Sequence, residues 1–256
     1  MGTLFWTPLC LALGLLTRIP CSLQHSPSPC EVGRSVLYYP VVGAVLGGLL
    51  WCGASLLGSV QPLLLAALLL TAWVWLTGGL HLDGVADCAD ARVGGMGSAE
   101  RTLAIMKDPT CGPAAVTSLV LLLLLQVAAL HSLLQANTPL WYLLFIPTWG
   151  RMMMVLLLAT TPYVRREGMG AMAAAQLSGR AVVGVALSVL AVALLVWRWQ
   201  EVLLLAGIGV VLLLGHRHHW QRRIGGCTGD VAGALCSWSE TAMLVGLALW
   251  QSGGAL

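Results

Sequence analysis

The sequence predicts an all-α fold, a polytopic transmembrane helix bundle with about six to eight membrane helices and a polar site on the cytoplasmic side. Three observations predict it. Hydrophobic residues make up 58% of the 256 and charged residues 9%, an apolar share above that of a soluble domain. The apolar residues are gathered in runs long enough, or nearly so, to cross a hydrocarbon core of about 30 Å. The few basic residues fall in alternate loops. Residues 1–256 are therefore read as a single integral membrane domain with the lipid bilayer as a partner, and 78–113 as a cytoplasmic loop that carries an acidic, metal-binding motif.

Taken in order, long apolar runs lie around 36–58, 61–77, 114–135, 139–160, 181–199 and 232–250, with shorter ones at 4–16 and 202–215. Met1 to Thr7 lacks a basic n-region and no A-x-A-like site follows, so the first apolar segment is expected to be retained. Thr17 to Pro20, T-R-I-P, and a Ser/Pro-rich loop to Arg34 punctuate the exit from it. Gly43, Gly47 and Gly48 have the small-residue spacing that lets membrane helices approach closely. The third run ends at Thr77-Gly78-Gly79, where two glycines allow a bend or a close backbone approach to a ligand. A short uncharged turn at 136–139 joins the next two spans, and the last span follows a glycine-dense stretch, Arg222 to Ala234.

The net charge of +3 says little, but its placement says much. Grouping loops alternately puts Arg18, Arg34, Arg92, Arg101, Lys107, Arg165, Arg166, Arg180, Arg217, Arg222 and Arg223 on one side, with only Arg198 opposite. By the positive-inside rule, loops 17–35, 78–113, 161–180 and 215–231 face the cytoplasm. No nucleic-acid partner is expected, and the oligomeric state is left open. The eight cysteines include no C-x-x-C pair, so neither zinc ligation nor a disulfide framework is supported.

The organising stretch is Thr77 to Arg92, T-G-G-L-H-L-D-G-V-A-D-C-A-D-A-R, which holds Asp83, Asp87 and Asp90, three of the five aspartates. On an α-helix, offsets of four and seven bring all three carboxylates within an arc of roughly 60°. Like charges so crowded at the edge of an apolar protein call for a cation, and hard oxygen ligands with room for water suit Mg²⁺ or Mn²⁺. The plain alternative is a solvated acidic helix start; scarcity of charge in this chain weighs against it. His81 is placed to orient a phosphate or shuttle a proton, or to serve as a structural partner.

Other candidates gather around this stretch. Arg101, Lys107 and Asp108 stand near the aspartates, where a basic side chain suits a second phosphate and Asp108 is a further ligand; their plain reading is an interface charge pattern. Arg151 sits about ten residues, or ~15 Å, inside the run 139–160, so it should point into the bundle toward a carboxylate or an anionic ligand. Arg165 and Arg166 return to the cytoplasmic face as phosphate forks or as a topology signal. G-G-C-T-G-D at Gly225 to Asp230 offers Thr228, Asp230 and backbone N–H groups at a helix start, suited to phosphate, as are Gly78 and Gly79. Glu240 reaches that site only if its helix tilts past it or if it pairs with Arg151.

In order along the chain, L-F-W at Leu4, T-R-I-P at Thr17, T-G-G-L-H-L-D-G-V-A-D-C-A-D at Thr77, I-M-K-D at Ile105, R-R-E-G-M-G at Arg165 and G-G-C-T-G-D-V-A-G-A at Gly225 resemble the motifs of the cobalamin synthase, or adenosylcobinamide-GDP ribazoletransferase, family. The resemblance runs nearly end to end. It implies a Mg²⁺-dependent polytopic enzyme of the bacterial inner membrane that joins adenosylcobinamide-GDP to α-ribazole or its 5′-phosphate and releases GMP. It also implies functional roles for Asp83, Asp87, Asp90, Asp108 and Asp230, and matches Arg151 to an arginine usual in the fifth span. Cys227 stands where the family commonly has glutamine, Ser237 where a glutamate is common, and Ala91 and Pro113-Ala114 also depart from it.

Two other classes are weighed. A CDP-alcohol-type membrane phosphotransferase wants D-G-x-x-A-R and a spaced aspartate tail, whereas Asp87 follows D-G-V-A directly and no such tail appears. A cation-coupled transporter predicts carboxylates in mid-span and internal repeats, but the aspartates lie in polar segments and no repeat is seen.

Overall fold

The computed structural model describes residues 3–23 and 25–253. The reading of the first two residues as part of an unbasic leader lies outside them. The described chain is helical throughout: α1 (Thr3–Leu16), α2 (Pro29–Ser35), a 3₁₀ turn, α3 (Tyr39–Leu56), α4 (Pro62–Thr77), α5 (Leu80–Gly94), α6 (Ala99–Ile105), α7 (Pro113–Gln135), α8 (Trp141–Thr160), α9 (Met169–Ala175), α10 (Gly179–Val196), α11 (Trp199–Ile224) and α12 (Gly229–Gly253). Six helical stretches are long and apolar enough to span a membrane, and α4 with α5 forms a seventh that is bent by 87°.

That bend is written in Gly78 and Gly79. Their φ angles of 65° and 73° lie in the left-handed region, where a Cβ is disfavoured, so consecutive glycines end α4 and start α5 at nearly a right angle. α5 is thereby turned against α12 and α7 rather than continuing along α4. At its crossing with α12, a Cβ on Gly84 would lie 2.5 Å from the Asp230 carbonyl oxygen, so the absence of a side chain sets how closely the two acidic segments approach.

α8 is the buried centre, packed between α3 and α12. Cβ atoms on Gly43 and Gly47 would lie 2.6 Å from the Thr148 and Leu144 Cα atoms, which confirms those two as a close-packing seam. Gly48 does not belong to it, because it faces open space on the next 100° of the helix.

Two expectations change. The run 202–215 is not a short span: α11 continues to Ile224, its apolar part giving way to a polar extension with His216, Arg217, His218, His219, Arg222 and Arg223 that still packs on α12 and α6. Hydropathy registers the lipid-facing part of a helix and is blind to its polar extension. Cys10 and Cys21, which carry no motif spacing, are joined by a disulfide that ties the end of α1 to the following loop; the other six cysteines are free. At α1, only fourteen residues long, the Arg18 N–H donates to Leu76 O at 2.7 Å, which sets its end beside the end of α4.

Candidate active site

Two cavities meet at one end of the bundle. The larger, about 800 Å³, is walled by Asp83, Asp87 and Asp90 of α5 and by Gly78, Gly79, Lys107, Asp108 and Asp230. The three α5 carboxylates share one wall as their spacing predicts, because seven residues of helix return them to the same face. Asp83 is exposed and Asp87 half-buried, and neither has a hydrogen-bond or ion-pair partner among the described residues.

The other acids are committed. Asp90 accepts from Gly112 N at 2.6 Å and from Ala115 N at 3.0 Å, so it caps the start of α7 rather than standing free as a ligand. Asp90→Ala is expected to lower stability by about 1–2 kcal/mol, read as a lower melting temperature in detergent; unchanged melting would return Asp90 to ligand duty. Asp108 accepts from the Thr110 hydroxyl at 2.7 Å and its N–H at 2.9 Å, and these bonds hold its carboxyl below the usual carboxylate range. Asp230 pairs with Arg165 at 2.6 Å and receives a bond from the Thr228 hydroxyl at 3.3 Å.

Arg165 arrives there through backbone pairing that the sequence does not advertise. Val164 N donates to Cys227 O at 2.9 Å and Cys227 N to Pro162 O at 2.8 Å, which ties the R-R-E-G loop to the G-G-C-T-G-D loop. In extended chain neighbouring side chains point apart, so Arg165 turns inward and Arg166 remains exposed. Arg166 and Arg101, read as phosphate candidates, line neither cavity; Arg101 lies on the exposed first turn of α6, which Ser98 caps. Thr228 is fully buried and caps α12 by accepting from Val231 N at 3.3 Å. Lys107 is the exposed cation that does line the acidic pocket. Cys227, in place of the expected glutamine, is buried and its thiol is pushed up to about 12, so it serves as packing.

Arg151 is wholly buried and forms an ion pair with Glu240, itself 3% exposed. Of the two readings for Arg151, the carboxylate partner is the one realised. Its other nitrogen meets His81 Nδ1 at 3.3 Å, so a chain of contacts runs from α12 through α8 to α5. A Cβ on Gly150 would lie 2.6 Å from Glu240 Cγ, which leaves that position little choice but glycine. Sequence reasoning missed Arg223, which donates to the carbonyls of Ala91 at 3.3 Å and Arg92 at 2.9 Å and so closes the carboxyl end of α5. Its only sequence signal was a cation in a basic pair.

Among the described residues no three His, Cys, Asp or Glu side chains converge tightly enough to hold an ion by themselves. The five-aspartate shell is therefore not assembled. Asp83 and Asp87, two open carboxylates on a polar wall, instead fit Mg²⁺, which takes one or two protein carboxylates and completes its shell with water and substrate phosphates.

A bundle of membrane-length helices closing over a pocket of carboxylates, a lysine and an arginine defines a multi-pass membrane protein with a site for a charged small molecule. The chain belongs to the cobalamin-5-phosphate synthase family, whose model matches residues 8–248. It is 51% identical over 239 residues to the adenosylcobinamide-GDP ribazoletransferase of Ectopseudomonas mendocina, covering 93% of this chain and 97% of that one. The proteins of that name from Stutzerimonas stutzeri and Acinetobacter baumannii are 50% and 43% identical, over 94% and 93% of this chain and 98% and 95% of theirs. No solved structure matches it.

Proposed function

We propose that this chain is an adenosylcobinamide-GDP ribazoletransferase of the bacterial inner membrane, working at the cytoplasmic face. It transfers the cobinamide phosphate moiety of adenosylcobinamide-GDP to α-ribazole or α-ribazole 5′-phosphate and releases GMP. The observation that carries the chemistry is the convergence of open Asp83 and Asp87 with Lys107 and the Arg165–Asp230 pair on one pocket. Extended similarity to relatives of that name, over more than nine-tenths of the chain, supports the substrates.

In the reaction a ribose hydroxyl oxygen forms a bond to the cobinamide-linked phosphorus, the bond from that phosphorus to the bridging oxygen breaks, and the bridging oxygen leaves with GMP. The hydroxyl proton passes to a carboxylate of the pocket. Of the two acids that line both cavities, Asp83 and Asp230, Asp83 suits this base role, because Asp230 is paired with Arg165 and Asp83 has no partner among the described residues. Lys107 lies where it neutralises charge on the departing phosphate. Asp230, held by Arg165, steadies the opposite wall. Mg²⁺ bound at Asp83 and Asp87 would supply charge neutralisation for the diphosphate.

Isolated membranes containing the protein are expected to release GMP from adenosylcobinamide-GDP only when α-ribazole or its phosphate is present. A chelator should abolish release and added Mg²⁺ restore it. Absence of GMP under all these conditions would overturn the reading; release that ignores the chelator would remove the metal from it.

A further inference from the structure

The second cavity, about 250 Å³, shares Asp83, Asp230, Leu15 and Leu80 with the acidic pocket but is otherwise mainly apolar. It is too small for a corrinoid macrocycle and of a size for a bicyclic aromatic base. Among its lining side chains is His81, 4% exposed, whose Nε2 is buried without a hydrogen-bond partner. A buried orphan donor or acceptor costs stability and calls for a partner, and at the wall of a cavity a bound ligand can supply it.

The protonation of the ring follows from its neighbour. Guanidinium has donors and no acceptor, so His81 Nδ1, 3.3 Å from Arg151, must be the accepting nitrogen, and the proton sits on Nε2. Glu240 holds Arg151 in turn, inside the bundle. The chain Glu240–Arg151–His81 thus sets an N–H donor in a mainly apolar cavity, whose other polar side chains are the hydroxyls of Ser35, Tyr39 and Tyr163 and the carboxylates of Asp83 and Asp230, the first of them proposed to activate the acceptor.

Resting on the proposed transfer, we infer that this cavity binds the flat base of the acceptor nucleoside, with His81 Nε2–H donating to its unprotonated ring nitrogen and Arg151 and Glu240 as positioning residues. A benzimidazole nucleoside has that combination: apolar faces and edges, one ring-nitrogen acceptor, and a ribose hydroxyl that can reach out to Asp83. The diphosphate of the corrinoid nucleotide then occupies the acidic pocket, and the two substrates meet at the shared wall.

The test compares α-ribazole with an analogue whose ring nitrogen is replaced by C–H, an indole nucleoside, as acceptors and as ligands in direct titration of the purified protein. Wild type is expected to prefer α-ribazole by roughly ten- to a hundredfold. His81→Phe, which keeps a flat ring but removes the donor, should bring the two within about twofold, with the KM for adenosylcobinamide-GDP little changed. Glu240→Ala should lower the preference through Arg151, and Glu240→Gln, which still accepts from the guanidinium, should restore part of it. Ala173→Leu, which fills the cavity from α9, should raise KM for both nucleosides together. Undiminished preference in a folded His81→Phe protein overturns the inference, as does a rise in KM for the corrinoid nucleotide in place of the nucleosides. If wild type releases no GMP the transfer itself is wrong, while the titration still reports whether the cavity reads a ring nitrogen.

Discussion

Asp83→Asn is expected to lower GMP release by at least about a hundredfold while the protein still inserts, folds and melts like wild type. The substitution keeps size and shape but removes the charge and the proton acceptor. Asp83 has no structural partner to lose, since it is exposed on the wall of both cavities and bonds to nothing among the described residues. This separates it from Asp90 and Asp230, whose replacement would disturb a helix start or an ion pair as well as the pocket. The measurement is single-turnover GMP release beside a thermal melt. Wild-type rates in Asp83→Asn would remove this residue from the chemistry and with it the proposed base.

Arg151→Met is expected to destabilise the protein by about 3–5 kcal/mol, because it strands Glu240 as an unpaired carboxylate inside the bundle. The double variant Arg151→Met with Glu240→Leu should regain most of that stability, since replacing both members of a buried pair by apolar side chains is often neutral. It should not regain the wild-type acceptor KM, because His81 is left without the neighbour that fixes its proton. Melting temperature and acceptor KM, read together on the two variants, separate these effects. If the double variant restored both, the pair would be packing alone; if the single variant melted like wild type, the ion pair would carry no stability.

How much of this was legible in advance depends on the distance over which each feature is decided. The glycine bend at Gly78-Gly79 and the shared face of Asp83, Asp87 and Asp90 follow from residues within a few turns, where helical periodicity and backbone sterics act directly. The inward arginine at position 151 was readable from the cost of a charge in lipid. The capture of Asp90 by the backbone of Gly112 and Ala115 was not, nor was the pairing of Arg165 with Asp230, since side chains with identical local sequence serve equally as ligands or as partners. That Arg101 and Arg166 line neither cavity was illegible for the same reason: a basic residue near a motif in sequence has no fixed direction until the loop is placed.

The sequence by itself determined the membrane helices, their alternation and the acidic face, because these are properties of hydropathy, charge placement and the 3.6-residue turn. Only the tertiary structure decided which acids remain open, that an apolar cavity adjoins them, and that a buried pair on α8 and α12 sets the proton of His81 on α5. Those outcomes rest on contacts between residues as many as 89 apart in the chain, as in the Arg151–Glu240 pair, and local propensity carries no information about them.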